Sequence, residues 1–494
     1  MEKNLEIELK LHLDKSSLKA FLSAPLLTKK VVKGSSKTLP LLSTYYDTAD
    51  FALEQAGIAY RVRRTGKEYE ATIKSDKMAA SGLSQRREIT VPLVDSKPIL
   101  TGFENTDLPA LTKHVPLEKL FTVKVERQVK LLRLNKDTLV ELAVDQGVVK
   151  GAKKTAKIDE IELELKEGSL GPLLKYAAQI AAKYPLFVEL RSKFERGMDL
   201  LGKTLPPRES GKKIRFSLHK PYTEEFPGEC WFFANKILQK QNILLQKGIS
   251  KGDAEDLQEN FLYIKALVLW LLPLLPKSRE LCAGIDKLLE PLEALIVLED
   301  LQEQSARVYK LMGTSLKTVG LKPMLVEAQT KAKTKILEQI KKGLYTRILF
   351  RLLAQLHSSL WRENRYLQTD KLLQCRGQEL VKGLKVLCEN KKDKEERTLT
   401  YKRQLLFTDA CTKMLTLARI GGWNKETAKR FPKVNQALRE TLVLSEQLNL
   451  IGKMTGKKAS LAYGKGILEG WCLKKLQNKQ TKAKKELTKL LTSL

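Results

Sequence analysis

The hydrophobic period of this chain changes near residue 200, and that change limits what each half can fold into. Upstream, Leu5, Ile7, Leu9 and Leu11 alternate with Glu6, Glu8 and Lys10, a period of two that marks a strand. The same alternation sets Tyr60 and Val62 against Arg61 and Arg63, and Ala71 and Ile73 against Glu70, Thr72 and Lys74. It returns with Ile89 and Val91 against Glu88 and Thr90, and is strongest where Ile161, Leu163 and Leu165 alternate with Glu160, Glu162 and Glu164. Strands separated by turn signals predict an antiparallel sheet or barrel, with short helices around Lys15–Leu22 and Leu173–Lys183. Downstream of Pro227 the apolar residues recur three and four apart, which predicts helices over 228–247, 253–272, 325–362, 369–390, 397–420 and 433–451. Breaks are expected at Pro273, Pro276, Gly320–Pro323, Lys391–Lys394 and Gly421–Gly422. The fold class is therefore α+β. A strand-rich domain over 1–200 and a helical bundle over 218–494 are joined by a linker over 201–217, where the sequence LGKTLPPRESGKK is rich in Pro, Gly and Lys. The end of the chain, from Lys474 to Lys489, reads as a low-complexity basic tail.

Charge is distributed as unevenly as period. Of the formal net charge of +32, residues 1–200 contribute +7 and the remainder +25. A field of that sign attracts polyanions, so nucleic acid, polyphosphate and anionic surfaces are the partner classes to consider. At 43% hydrophobic residues the chain is no disordered polyelectrolyte. The longest apolar run, Phe261–Pro276, contains Lys265 and falls short of a membrane span. The N-terminus lacks a basic segment followed by an apolar one, so no signal peptide is expected. Cys230, Cys282, Cys375, Cys388, Cys411 and Cys472 match neither a disulfide framework nor a zinc-site spacing, and packed thiols in a cytoplasmic protein are the expectation. The five tryptophans, all beyond residue 230, read as core anchors. No P-loop appears, and no RNP, zinc-finger or helix–turn–helix pattern supports nucleic-acid binding.

The polar faces of the upstream strands carry the chemistry. Carboxylates two residues apart on one strand face repel each other unless a cation sits between them. Such rows supply the oxygen ligands that Mg²⁺ or Mn²⁺ takes. Arginines at the same spacing, such as Arg61 and Arg63, offer forks to phosphate oxygens. Together these faces suggest a site for a metal–polyphosphate complex. His12 and His114 are isolated and read as structural.

The ordered set of motifs resembles the CYTH, or triphosphate tunnel metalloenzyme, superfamily. The Glu-x-Glu-x-Lys of Glu6, Glu8 and Lys10 comes first, followed by GIAYRVR (Gly57–Arg63), ATIK ending at Lys74, and Arg86-x-Glu88. Arg127 in FTVKVER, Asp145 in ELAVDQG, EIELELKEG (Glu160–Gly168) and SKFERG (Ser192–Gly197) complete the run. The resemblance implies an eight-stranded antiparallel tunnel barrel with a polar interior, whose apolar alternates face outward against helices. It implies that Glu6, Glu8 and Lys10 form the catalytic motif. Lys10, Arg61, Arg63, Lys74, Arg86, Arg127 and Lys193 would hold phosphates. Glu6, Glu8, Asp145 and members of Glu160, Glu162 and Glu164 would hold the metal, with Glu162 the best placed. Glu88 is either a further ligand or the partner that orients Arg86.

The helical half more loosely resembles a CHAD domain, a partner associated with polyphosphate. Segment 253–276 departs from that family, since Glu255, Asp256, Gln258 and Glu259 stand where a row of bases is usual. Bases remain at Lys331, Lys333, Lys335, Lys341, Lys342, Arg347 and Arg351, and at Lys402 and Arg403. The expectation is a cytoplasmic hydrolase that splits inorganic triphosphate, similar to bacterial CYTH–CHAD triphosphatases. It would use divalent Mg²⁺ or Mn²⁺ and engage long-chain polyphosphate through the basic half, with neither nucleic acid nor membrane as partner. The competing readings are action on thiamine or nucleoside triphosphate, an adenylate cyclase, and a non-catalytic polyphosphate-binding protein.

Overall fold

The computed structural model describes residues 5–80, 83–203, 216–271, 274–275, 277–358, 367–389, 394–417, 423–455 and 459–494; side chains of 76–86, among others, lie outside that description. The chain divides into two compact units, Met1–Lys212 with Leu349–Ser358, and Lys213–Ile348 with Ser359–Leu494.

The first unit is built on an antiparallel sheet whose strands are β1 (Leu5–His12), β2 (Lys37–Asp47), β3 (Ile58–Thr65), β4 (Glu68–Ala80), β5 (Leu83–Leu93), β6 (Glu118–Asn135), β7 (Thr138–Gly151), β8 (Lys154–Glu167) and the short β9 (Phe187–Val188). The order is β5-β4-β3-β2-β6-β7-β8-β1, and β1 also pairs with β5, so these eight strands form a ring with β9 added beside β1. The register of the ring decides the site. Glu8 lies opposite Glu164 and Lys10 opposite Glu162 across β1–β8, while Asp145 faces Glu160 across β7–β8 and Arg127 faces Asp145 across β6–β7. A slip of one residue would turn all of these side chains to the other face.

Apolar alternates of β3 and β4 do face outward. Ile58, Tyr60, Val62, Ala71 and Ile73 bury themselves against Leu53, Phe103 and Leu108. The polar interior, however, does not run end to end. Phe121, Val123 and Val125 share the inward face of β6 with Arg127, and together with Leu41, Tyr45, Val149 and Ile158 they form a second core. The helix Lys193–Leu200 supplies Phe194 and Met198 to that core and fills this end of the ring. The fit is close at Gly197, where an added Cβ would sit 2.1 Å from the Phe121 ring. The expectation of a wholly polar interior is thus corrected: closing a barrel end needs apolar filling, and a helix provides it.

The predicted short helices are present as Lys15–Ser23 and Leu170–Lys183. Among the described residues beyond 216, helices run over Tyr222–Lys247, Lys251–Trp270, Ser278–Leu311, Lys322–Lys341, Leu344–Leu356, Thr369–Glu389, Lys394–Leu417, Lys425–Lys453 and Ala459–Ser493. Two expectations need correction. The stretch 325–362 is interrupted where Gly343 takes φ +65°, a conformation open to glycine, so it forms two helices. The basic tail is part of a 35-residue helix, because Leu461, Leu468, Cys472, Ala483, Leu487 and Leu490 fall on one stripe that is buried. Trp270 is fully buried and donates to the Ala410 carbonyl, while Trp361 and the expected breaks at Pro273, Pro276, Lys391–Asp393 and Gly421–Gly422 lie outside the described residues. Among the described residues no helix is long and apolar enough to cross a membrane.

Candidate active site

The polar end of the ring encloses a cavity of about 390 Å³. Strand alternation aims side chains of β1, β3, β4, β5, β6, β7 and β8 into it, and the helix Lys193–Leu200 adds its first residues. Of the residues expected from sequence, Glu6, Glu8, Lys10, Arg61, Arg63, Lys74, Arg127, Glu162, Glu164 and Lys193 line the cavity, as does Glu88. Asp145 and Glu160 stand behind the lining, 0% and 2% exposed. Arg86 pairs in backbone register with Glu6, and its side chain lies outside the described residues.

The lining is a lattice of ion pairs. Lys74 Nζ donates to both carboxylate oxygens of Glu6 at 2.9 and 2.8 Å and lies 2.8 Å from Glu88, which also receives Arg61 at 3.4 Å. Burial raises the proton affinity of Glu88, but Lys74 and Arg61 outweigh it and hold the carboxyl at about 2. Lys10 contacts Glu8 at 2.7 Å. Arg63 is held loosely, donating to Ser43 Oγ at 3.2 Å with Glu70 at 3.7 Å. Burial and the neighbouring Arg61 and Arg127 bring its pKa down to about 10. Burial pushes Glu164 up to about 7, with Glu6 and Glu141 adding to the effect and Lys166 opposing it.

The third cluster answers the question raised by the Glu160–Glu164 row. Among the described residues, Asp145, Glu160 and Glu162 are the one group of three ligand-bearing side chains whose donor atoms fall within 4.8 Å of one another. The Lys193 ammonium sits among them, 2.7 Å from Asp145 and 2.9 Å from Glu162 and in contact with Glu160. Arg127 clasps Asp145 through Nε and Nη2 at 2.7 and 2.6 Å and reaches Glu162 at 2.5 Å. Burial would raise the Glu162 carboxyl, yet Lys193, Arg127 and Lys10 hold it well below the usual range. Lys193 is fixed by its place in the first turn of its helix. There Ser192 Oγ accepts from Glu195 N–H while the Glu195 carboxylate accepts from Ser192 N–H, a capping box that sets the direction of the chain.

Several lining residues were not singled out as site residues from sequence. Lys166 continues the same-face series Glu160, Glu162, Glu164 on β8 and was there to be read. Glu70, Glu141 and Thr90 share alternating faces in the same way. Tyr45 comes from β2, which carries Pro40 and no charged alternation, so no sequence signal marked it. The lining among the described residues holds seven carboxylates and seven cations. Their hard oxygen donors suit Mg²⁺ or Mn²⁺, and their forks and ammonium groups suit phosphate oxygens.

The chain is similar to several known proteins. A Haemophilus influenzae protein described as inorganic triphosphatase is 27% identical over 250 residues, covering 50% of this chain and 68% of its own length. An adenylyl cyclase homologue from Hippeastrum, described as having dominant triphosphatase activity, is 19% identical, with TM-score 0.28 over 41% of this chain and 99% of its own. The CHAD domain of Ricinus communis is 14% identical, with TM-score 0.44 over 59% of this chain and 97% of its own. Residues 4–198 match the family described as CYTH domain.

Proposed function

We propose that the chain is a divalent-metal-dependent hydrolase that splits inorganic triphosphate into diphosphate and orthophosphate inside the ring. The lining carries this reading: among the described residues seven carboxylates stand beside seven cations, so much of the cationic charge that would neutralise a bare polyanion is already offset. A cavity so balanced suits triphosphate that arrives with its own divalent cations. A metal bound there would neutralise the phosphates and activate a water for in-line attack. Glu6, Glu8, Asp145, Glu160 and Glu162 are its proposed oxygen ligands. Arg61, Arg63, Lys10, Lys74, Arg127 and Lys193 hold phosphate oxygens, with Arg86 proposed from sequence alone. Arg63 engages first, because it gives up the weakest partner. Glu164 lines the same cavity and binds a proton near neutral pH, so in this proposal it serves as acceptor for the proton of the attacking water. The lining also favours inorganic triphosphate over a nucleotide: among the described residues its aromatic side chains are Tyr45 and Phe194, and Tyr45 already stacks on Phe121 with ring centroids 4.9 Å apart.

The helical unit is proposed to be a CHAD-like polyphosphate-binding module acting in the cytoplasm. The bases at Lys331, Lys333, Lys335 and Lys342 hold Glu327, Glu299, Glu290 and Glu338, which weakens their claim to a polyanion. Exposed Lys474, Lys475, Lys482, Lys484 and Lys485 on the helix Ala459–Ser493 are the better candidates. The deciding assay is orthophosphate release from inorganic triphosphate, ATP, thiamine triphosphate and long-chain polyphosphate, with Mg²⁺ or Mn²⁺ and with EDTA. Metal-dependent release from inorganic triphosphate is expected. Absence of release from all four, together with salt-sensitive polyphosphate retention, would make the chain a binding protein.

A further inference from the structure

Glu160 differs from its neighbours Asp145 and Glu162 in facing two ways. One carboxylate oxygen contacts Lys193, while the other accepts from Arg196 Nη2 at 3.0 Å. Arg196 is in turn anchored by Glu189 Oε2 at 2.5 Å and donates through Nη1 to the Lys157 carbonyl at 3.3 Å. Arg196 does not line the ring cavity. It lines a second cavity, of about 470 Å³, together with His12, Lys157, Asp159, Glu189 and Arg191. The two cavities share no lining residue, and the Glu160 side chain, 1% exposed, forms part of the wall between them.

We infer that Arg196, held by Glu189, is a positioning residue that sets where the Lys193 ammonium stands in the ring cavity. The inference rests on the triphosphate reading of that cavity. Glu160 is too buried for water to share its charge. Arg196 satisfies one of its oxygens through a planar fork, which leaves only a partial claim on Lys193. With Arg196 absent, the whole carboxylate charge falls on Lys193. The ammonium is then drawn toward the wall and away from the phosphates it would hold. The effect belongs to substrate binding rather than to the chemical step, because Arg196 contacts neither the cavity nor its contents. Lysine at this position keeps the charge but cannot span Glu160 and Glu189 at once, so it restores only part of the function.

The test compares full-length wild type with Arg196→Ala, Arg196→Lys and Glu189→Gln. In Arg196→Ala, KM for inorganic triphosphate is expected to rise about tenfold or more, the scale on which lost supporting hydrogen bonds act, while kcat changes far less. Arg196→Lys and Glu189→Gln are expected to fall between Arg196→Ala and wild type. Guanidinium at millimolar concentration has the second cavity as its route to the vacated place, and it is expected to lower the KM of Arg196→Ala while leaving wild type unchanged. An Arg196→Ala protein with wild-type KM, or with a lowered melting temperature as its only change, would overturn the inference. If wild type releases no phosphate, the triphosphatase reading fails separately. Calorimetric binding of Mg²⁺–triphosphate, then undisturbed by turnover, still decides the inference through the same comparison, with equal affinity in wild type and Arg196→Ala overturning it.

Discussion

Glu164→Gln should make the metal-free first unit more stable, and the gain should depend on pH. Glu164 has about 23% of its side chain exposed, with Glu141 and Glu8 opposite it in register and Glu6 nearby. Burial lifts its pKa from the ordinary 4.5 to about 7. A carboxyl raised on folding binds protons more tightly in the folded state. Its penalty is therefore absent below pH 4.5, grows as pH rises toward 7, and is complete above that. The size follows from the two values: about 3 kcal/mol at pH 8.5 and about 1 kcal/mol at pH 5, both order-of-magnitude figures. Glutamine keeps the shape without the charge. Lys166 loses a 2.7 Å partner in the exchange, but at 37% exposure its ammonium remains solvated, so little of the gain is lost. The assay is native-state hydrogen exchange of β7 and β8 peptides in EDTA at pH 5 and pH 8.5, corrected for the intrinsic exchange rate. All five tryptophans lie beyond residue 230, so the melt followed by their fluorescence reports the helical unit and should not move. Opening free energies in the variant equal to or below those of wild type at pH 8.5 would refute the reasoning. So would a gain of the same size at both pH values.

Three further outcomes are expected. Glu6→Gln and Arg61→Ala should each lower phosphate release at least a hundredfold, since each breaks the Lys74–Glu6–Glu88–Arg61 lattice, while tryptophan fluorescence stays unchanged. Unchanged release in both would remove the ring cavity from the reaction. EDTA should stop release and added Mn²⁺ or Mg²⁺ should restore it, as measured by a phosphate-trapping assay. Replacing Lys474, Lys475, Lys482, Lys484 and Lys485 together with Gln should flatten the salt dependence of polyphosphate binding without altering triphosphate turnover, as checked by binding titrations at several ionic strengths.

Much of the first unit was legible because a strand with one charged and one apolar face leaves a clear period. Leu5–Leu11, Tyr60–Arg63 and Ile161–Leu165 all lie in strands, and their charged alternates Glu6, Arg61 and Glu162 all point into the cavity. Strand β2 was not legible, because Leu41, Ser43 and Tyr45 face inward without any charged alternation. The apolar end of the ring escaped for a related reason. Phe121, Val123 and Val125 alternate as an outward strand would, and only the helix with Phe194 and Met198 shows that they face in. The pairing of Arg196 with Glu160 joins residues 36 apart across a strand and a helix, a contact that no local pattern records. In the helical unit, the lysine-rich composition of residues 474–489 hid an apolar stripe that appears only at every third or fourth residue.

The position of β1 in the ring has a consequence for the order of folding. Its residues pair on one side with Leu83–Arg87 and on the other with Ile161–Glu164, so the ring's first strand is among the last to find both neighbours. Contacts that distant in sequence slow folding, because the chain between them must be ordered before they form. During synthesis the ring cannot close until β8 has emerged, and until then the backbone of β1 presents an unpaired edge to other chains. A ribosome stalled before Glu160 would thus hold a sheet with two open edges, prone to pair with its neighbours. One released after Leu200 would hold every strand of the ring and the helix that plugs it.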